Sequence, residues 1–248
     1  MSIRLADRDV RLVLLDIEGT TTPIAFVHEV LFPFARARLA SWRHAHRGSA
    51  DLATLVDMLN AEYQAEPDRA TLPPWSSATD AELATSTLAY LEWLMERDRK
   101  SPALKTLQGW IWEEGYQSGE LRGEVYPDVV PAMRRWCDAG LSIAIYSSGS
   151  ELAQRRLFAT ISEGDVTPLI AGFFDTAVGS KKAASSYTRI AAALTVAPSS
   201  LLFISDVTSE LDAARGAGCQ VLLSIRPGNP PQPDASRFEA LRTFDDLD

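Results

Sequence analysis

Four short apolar runs are spread along the chain, and each stops at polar, acidic or turn-forming residues. Leu12 to Leu15 ends at Asp16, Leu141 to Tyr146 at Ser147, and Leu201 to Ile204 at Ser205 and Asp206. Val221 to Ile225 stops before Pro227 and Gly228. Runs this short and this uniformly apolar predict strands buried on both faces of a parallel sheet. Helical patterns lie between them. Asp128 to Ala139 has an acidic residue in the N-cap position, Pro131 in its first turn and Gly140 after its end. Ser150 to Ala159, Ser186 to Leu194, and Ser209 to Ala217 before Gly218 are the others. This alternation predicts a doubly wound parallel α/β sheet. Such sheets bind ligands beyond the carboxyl ends of their strands, where Asp16, Ser147 and Asp206 are expected.

The segment from Pro23 to Gly123 follows another rule. Apolar residues recur at helical spacing over Phe26 to Trp42, Asp51 to Tyr63, Thr79 to Glu96 and Leu104 to Tyr116, and no good strand interrupts them. Thr79 and Glu82 have the spacing of a capping box. The Pro-rich stretch Pro67 to Ser77 reads as a loop. The expected organisation is a core made of residues 1–22 and 124–248, with residues 23–123 inserted after the first strand as a helical cap over the strand ends.

The chain has 248 residues, of which 46% are hydrophobic and 23% charged, enough for a sizeable core. Its formal net charge of −9 argues against nucleic acid and anionic membrane as partners, since both reward positive patches. A small anionic substrate needs only a local positive potential. Cys137 and Cys219 are far apart and are expected to be buried, reduced thiols. The N-terminal residues lack the long apolar stretch of a signal peptide, and no run approaches membrane-spanning length, so a cytoplasmic location is expected.

Four places carry candidate chemistry. In Leu14 to Pro23, LLDIEGTTTP, a strand delivers Asp16 to a turn that also holds Glu18, Gly19 and Thr20, a compact anion and metal site. A carboxylate can attack phosphorus to give an acyl phosphate, and a divalent cation holds it close to an anionic phosphate. In IYSSGS, Ile145 to Ser150, a hydroxyl and helix-start N–H groups can donate to a phosphate; a plain helix N-cap is the simpler reading of this run alone. In Gly179-Ser180-Lys181-Lys182, one lysine can offset phosphate charge while its neighbour stays in solvent. In LLFISDVTSE, Leu201 to Glu210, Asp206 suits an oxygen ligand for Mg2+, or a helix cap. His44 and His46 read as surface residues, and the tryptophans as packing; His28 lies close in sequence to Asp16 and could approach it.

Asp16, Ser147, Lys181 and Asp206, in this order, resemble the four motifs of the haloacid dehalogenase superfamily. The likeness narrows further. LLDIEGTTTPIAFVHEVLFPFA, LQGWIWEEGYQSGEL, VYPDVVPAMRRW, IYSSGS, GSKKAASSY, FISDVTSEL and RPGN resemble the enolase-phosphatases of methionine salvage, weakest around Arg47 to Asp80. The resemblance implies a haloacid dehalogenase-like core with an inserted cap. It also implies conversion of 2,3-diketo-5-methylthiopentyl 1-phosphate to an acireductone, 1,2-dihydroxy-3-keto-5-methylthiopentene, and phosphate through an Asp16 aspartyl-phosphate. In that pattern Mg2+ is bound by Asp16, Asp206 and Glu18, the last through its main-chain carbonyl. Ser147, Ser148 and Lys181 hold the substrate phosphate, and Asp16, Glu18 and Lys181 are the catalytic set. A cytoplasmic monomer is implied. One departure stands out: most phosphatases of the superfamily have Asp, not Glu, at the position of Glu18, where it protonates the leaving oxygen. An enol conjugated to a ketone is a better leaving group than an alcohol, which lessens the need for that acid.

Three rivals share some of these features. A general sugar-phosphate phosphatase, or a dehalogenase independent of Mg2+, has the same fold. A receiver-type phosphorylation switch carries its phosphate on a middle strand and is much shorter. An inactive structural protein has no need of the intact motif residues.

Overall fold

The computed structural model describes residues 3–248. Strand β1, Leu12–Leu15, is buried at every position, as an all-apolar run must be if both faces are covered. Strands β2, Ser142–Tyr146, and β4, Leu201–Ser205, pair with it in parallel on its two sides. With β3, Gly172–Phe174, β5, Gln220–Ser224, and β6, Ala240–Leu241, they make one parallel sheet in the order β3-β2-β1-β4-β5-β6. The outer strands β3 and β6 are too short to stand out as apolar runs. The chain steps outward from β1 to β2 and β3, then returns to the other side of β1 to lay down β4. The strand order therefore reverses between β1 and β4, the switch point at which open α/β sheets take their ligands.

Helices α5, Val129–Asp138, α6, Glu151–Ala159, α7, Ala184–Ala193, and α8, Thr208–Gly216, lie between or beside these strands. On one face of the sheet Leu12, Leu14, Tyr146, Tyr187, Ile190, Phe203 and Leu211 form a buried apolar cluster. Asp128 does not cap α5: its backbone is already helical and its side chain makes no cap bond. Its carboxylate is drawn away by Arg226, Thr243 and the Phe244 N–H.

The chain divides into two compact units, residues up to His28 with Gly119–Asp248, and Glu29–Ser118. The second unit holds α1, Phe32–Ala45, α2, Ala50–Ala65, α3, Asp80–Glu96, and α4, Pro102–Ser118. The periodicity from Phe26 is met first by a π-helical stretch, Phe26–Leu31, and only then by α1. This unit has its own core around Leu39, Trp42, Leu59, Tyr90, Leu94 and Leu107. Ser49 and Thr79 cap α2 and α3 through Leu52 N–H and Glu82 N–H. The capping box stays half closed, because the Glu82 carboxylate accepts from Ser76 Oγ at 2.7 Å. His46 is not a plain surface residue: its ring stacks on Trp42 at 4.1 Å, meets the Trp42 carbonyl and lies 3.2 Å from Glu114. Cys219 is buried and Cys137 half-buried, both as free thiols. No described helix is long and apolar enough to cross a membrane.

Candidate active site

Asp16 is the first residue beyond β1, and its N–H still donates to the Ile204 carbonyl of β4 at 3.0 Å. The main chain of the sheet thus fixes its position. Its buried carboxylate is held on both oxygens. Oδ1 accepts from Ile17 N–H at 2.7 Å and pairs with Lys181 Nζ at 2.6 Å. Oδ2 accepts from Ser205 Oγ at 2.9 Å. A buried carboxylate so paired is held in one orientation.

Lys181 comes from the loop before α7, and three hydroxyls pin that loop. Tyr187 OH donates to the Lys181 carbonyl at 2.6 Å, Tyr146 OH to Gly179 at 2.9 Å and Ser186 Oγ to Ser180 at 2.8 Å. Lys181 is buried and Lys182 exposed. Burial disfavours the Lys181 ammonium, but Asp16 and Glu210, whose Oε2 lies 2.7 Å from Nζ, outweigh it and raise its pKa.

Glu210 had no role in the sequence reading. The available signal was its spacing: it follows Asp206 by four residues, one helical turn. Asp206 and Glu210 are both buried. Burial, and after it the Asp16 charge, pushes each carboxyl up to about 7, while Lys181 pulls both down. Glu18 retains solvent access. Its carboxyl is also raised, first by desolvation and then by Asp16, with Lys181 and His28 acting the other way. Three buried carboxylates around one ammonium leave an excess of negative charge that a cation would offset.

The turn after Asp16 adds a donor atom. Every carbonyl from Asp16 to Thr22 accepts a hydrogen bond except that of Glu18, for which none occurs among the described residues. Nor do three His, Cys, Asp or Glu side chains gather as a metal site among the described residues. The Glu18 carbonyl is available to a cation, and with the carboxylates it would make an all-oxygen set, which suits Mg2+. Gly19, at φ 67°, packs so closely that a Cβ would lie 2.5 Å from Asp206 Oδ2.

Ser147 follows β2, the strand beside β1, whose register sets Leu15 against Ile145. It is buried, and its Oγ accepts from Gly149 N–H at 3.3 Å, leaving its own proton to donate. Ser148 is exposed. Ser150, not Ser147 or Ser148, caps α6 through Ala153 N–H. Gln154 Nε2 ties the Gly149 and Phe174 carbonyls together. The structure thus brings Asp16 and Lys181 into contact and couples Asp206 to them electrostatically. Sheet register sets Ser147 on the neighbouring strand end.

Residues 10–218 match the model of the haloacid dehalogenase-like hydrolases. The chain is 47% identical over 235 residues to "Enolase-phosphatase E1" of Synechococcus elongatus, covering 95% of this chain and 96% of that one. It is 46% identical to the protein of the same name in Drosophila mojavensis, covering 92% and 90%. Among solved structures, the UTR4 protein of Saccharomyces cerevisiae superposes with a TM-score of 0.72 at 31% identity, covering 95% of this chain and 98% of that chain.

Proposed function

The chain belongs to the haloacid dehalogenase-like hydrolases and, within them, to the enolase-phosphatases, and from that membership we propose that it is a Mg2+-dependent acireductone synthase of methionine salvage. Its substrate is 2,3-diketo-5-methylthiopentyl 1-phosphate. Proton loss from the carbon bearing the phosphate ester, with proton uptake on the neighbouring carbonyl oxygen, gives the enol. An Asp16 carboxylate oxygen then attacks phosphorus; the ester P–O bond breaks, and its electron pair leaves on the enol oxygen, which takes up a proton. Water next attacks the aspartyl-phosphate and releases inorganic phosphate and the free Asp16 carboxylate.

The observation that carries this reading is the Asp16–Lys181 pair, 2.6 Å apart at the end of the central strand, beside two more buried acids. Lys181 orients Asp16 through their ion pair and offsets charge on the phosphate. Ser147 and Ser148 donate to the phosphate oxygens. Asp16, the Glu18 carbonyl and Asp206 would hold Mg2+, which when bound offsets the charge between carboxylate and phosphate. Residues 23–123 serve as the cap of the core formed by 1–22 and 124–248. The enzyme works as a monomer in the cytoplasm.

The test supplies the purified protein with the diketone phosphate and Mg2+ and follows enol absorbance and phosphate together. Both should appear, and EDTA should suppress both. Turnover of simple sugar phosphates without turnover of the diketone would instead assign a general sugar-phosphate phosphatase. Enol formed at the normal rate in EDTA would separate the two steps into different sites.

A further inference from the structure

Beyond β5 the chain reads Arg226-Pro227-Gly228-Asn229, and it folds as a turn. Asn229 N–H donates to the Arg226 carbonyl at 3.2 Å, and Gly228 has φ 85°. Proline followed by a left-handed glycine is the type II arrangement. The turn carries both its end residues back onto the loop that follows Asp16. Asn229 Nδ2 donates to the Gly19 carbonyl at 2.8 Å, and Ser224 Oγ, at the end of β5, donates to the same oxygen at 3.1 Å. Arg226 Nε donates to the Thr20 carbonyl at 3.1 Å.

Arg226 is itself fixed from behind. Nη1 pairs with Asp128 Oδ2 at 2.7 Å and donates to the Arg242 carbonyl at 3.2 Å. Its Cζ lies 4.6 Å from the Tyr126 ring centre and 4.5 Å from that of Phe244. Around this contact Arg226 Nη2, Asn229 Oδ1 and the hydroxyls of Thr20, Thr22 and Tyr126 are buried without a hydrogen-bond partner among the described residues.

Glycine at position 19 explains the need. A glycine crosses between left- and right-handed backbone at little cost, so the peptide planes on either side of it could flip and carry the Glu18 carbonyl with them. We propose that Asn229 and Arg226, together with Ser224, are positioning residues of the reaction. By holding the Gly19 and Thr20 carbonyls they keep the Glu18 carbonyl as the one main-chain oxygen from Asp16 to Thr22 without a hydrogen bond among the described residues, set for the cation. The inference rests on the cation reading above.

The experiment is calorimetric titration of Mg2+ into metal-free protein, with a melting curve for each variant. Ser224→Ala and Asn229→Ala should each weaken Mg2+ roughly 3- to 10-fold, the order of one hydrogen bond. The double variant should lose about 10- to 100-fold, as outer-shell partners of a metal site do. Ser224→Thr keeps the hydroxyl and should restore the affinity lost in Ser224→Ala. Arg226→Lys keeps a charge for Asp128 but not the fork, and should also bind Mg2+ more weakly. A merely structural role predicts lower melting temperatures with Mg2+ affinity within about twofold of wild type, and that result overturns the proposal. Should the double variant not fold, the Asn229→Ala titration decides in the same way. Failure of the wild-type chain to bind Mg2+ would remove the cation reading itself, and this inference with it.

Discussion

Asp16 is the most constrained carboxylate of the site, with an ion pair and two hydrogen bonds on its two oxygens. Asp16→Asn keeps the shape but replaces the proposed nucleophile with an amide, and phosphate release should fall by roughly 10^3- to 10^6-fold, the order for loss of a nucleophile. Near-normal turnover in steady-state assays would show that another group attacks phosphorus. Lys181→Ala should cost at least about 10^2-fold in kcat/KM and also lower stability, because it strands Asp16 and Glu210 as buried unpaired acids. Lys182→Ala, at an exposed position, should do neither; equal effects of the two changes would reverse their assignment. Asp206 makes a pH-dependent prediction. Its carboxyl rises from 3.8 to about 7 on folding, so between those values the folded chain binds the proton and the unfolded chain does not. Stability of the metal-free protein therefore falls as pH rises through this window. Asp206→Asn removes that loss. Its melting temperature should exceed wild type by about 2–8 °C at pH 8 without metal and match it near pH 4. A constant difference across the window would reject this electrostatic origin.

At the scale of an element, two left-handed glycines end up with different consequences. Gly19 and Gly228 have φ values of 67° and 85°, so an alanine at either costs about 1–2 kcal/mol of backbone strain. At Gly228 the new Cβ would meet nothing within 4 Å, whereas at Gly19 it would lie 2.5 Å from Asp206 Oδ2 and 3.0 Å from Asn229 Nδ2. Gly228→Ala should therefore lower the melting temperature by a few degrees and cost less activity than Gly19→Ala. Gly19→Ala should additionally cost most of the activity. Comparable kcat values in the two purified variants would mean that the turn after β1 is not held to the geometry described. The same turn shows how an element and its setting divide the work: β1 supplies the position of Asp16, while residues after β5 fix the carbonyls that follow it.

At the scale of the whole molecule, two separate cores stabilise the chain, one on the sheet around Tyr187 and Phe203 and one among the inserted helices around Leu59 and Tyr90. Leu59 is fully buried, and Leu59→Ala should cost about 2–5 kcal/mol through lost contacts and a cavity. Since all its core neighbours belong to Glu29–Ser118, Mg2+ affinity of the folded protein should stay within about twofold of wild type. A parallel loss of Mg2+ binding, measured well below the melting temperature, would show that the two cores do not act separately. The net charge of −9 and the excess of negative charge around Lys181 mean that an anionic substrate would need a bound cation at this site.

The sequence by itself determined the long strands, the helical insertion and the order of the motif residues. These depend on local patterns: uniform apolarity over four or five residues for a strand covered on both faces, 3.6-residue periodicity for a helix, and the polar residue at which each run stops. It did not determine β3 and β6, whose three and two residues are too few to make a pattern. Nor did it separate the cap-like spacing at Asp128 from the actual use of that carboxylate, which goes to Arg226 and Phe244, about a hundred residues away. The partners of the site came only with the tertiary structure. Ser205 meets Asp16 across 189 positions, and Ser224, Arg226 and Asn229 reach Gly19 and Thr20 across more than 200. Local propensity carries no information over such distances, because those contacts exist only once β4 and β5 have been laid beside β1 in a fixed register. Asp16 and Lys181 can thus be picked out from the chain, but the groups that hold them are set by how the sheet is assembled.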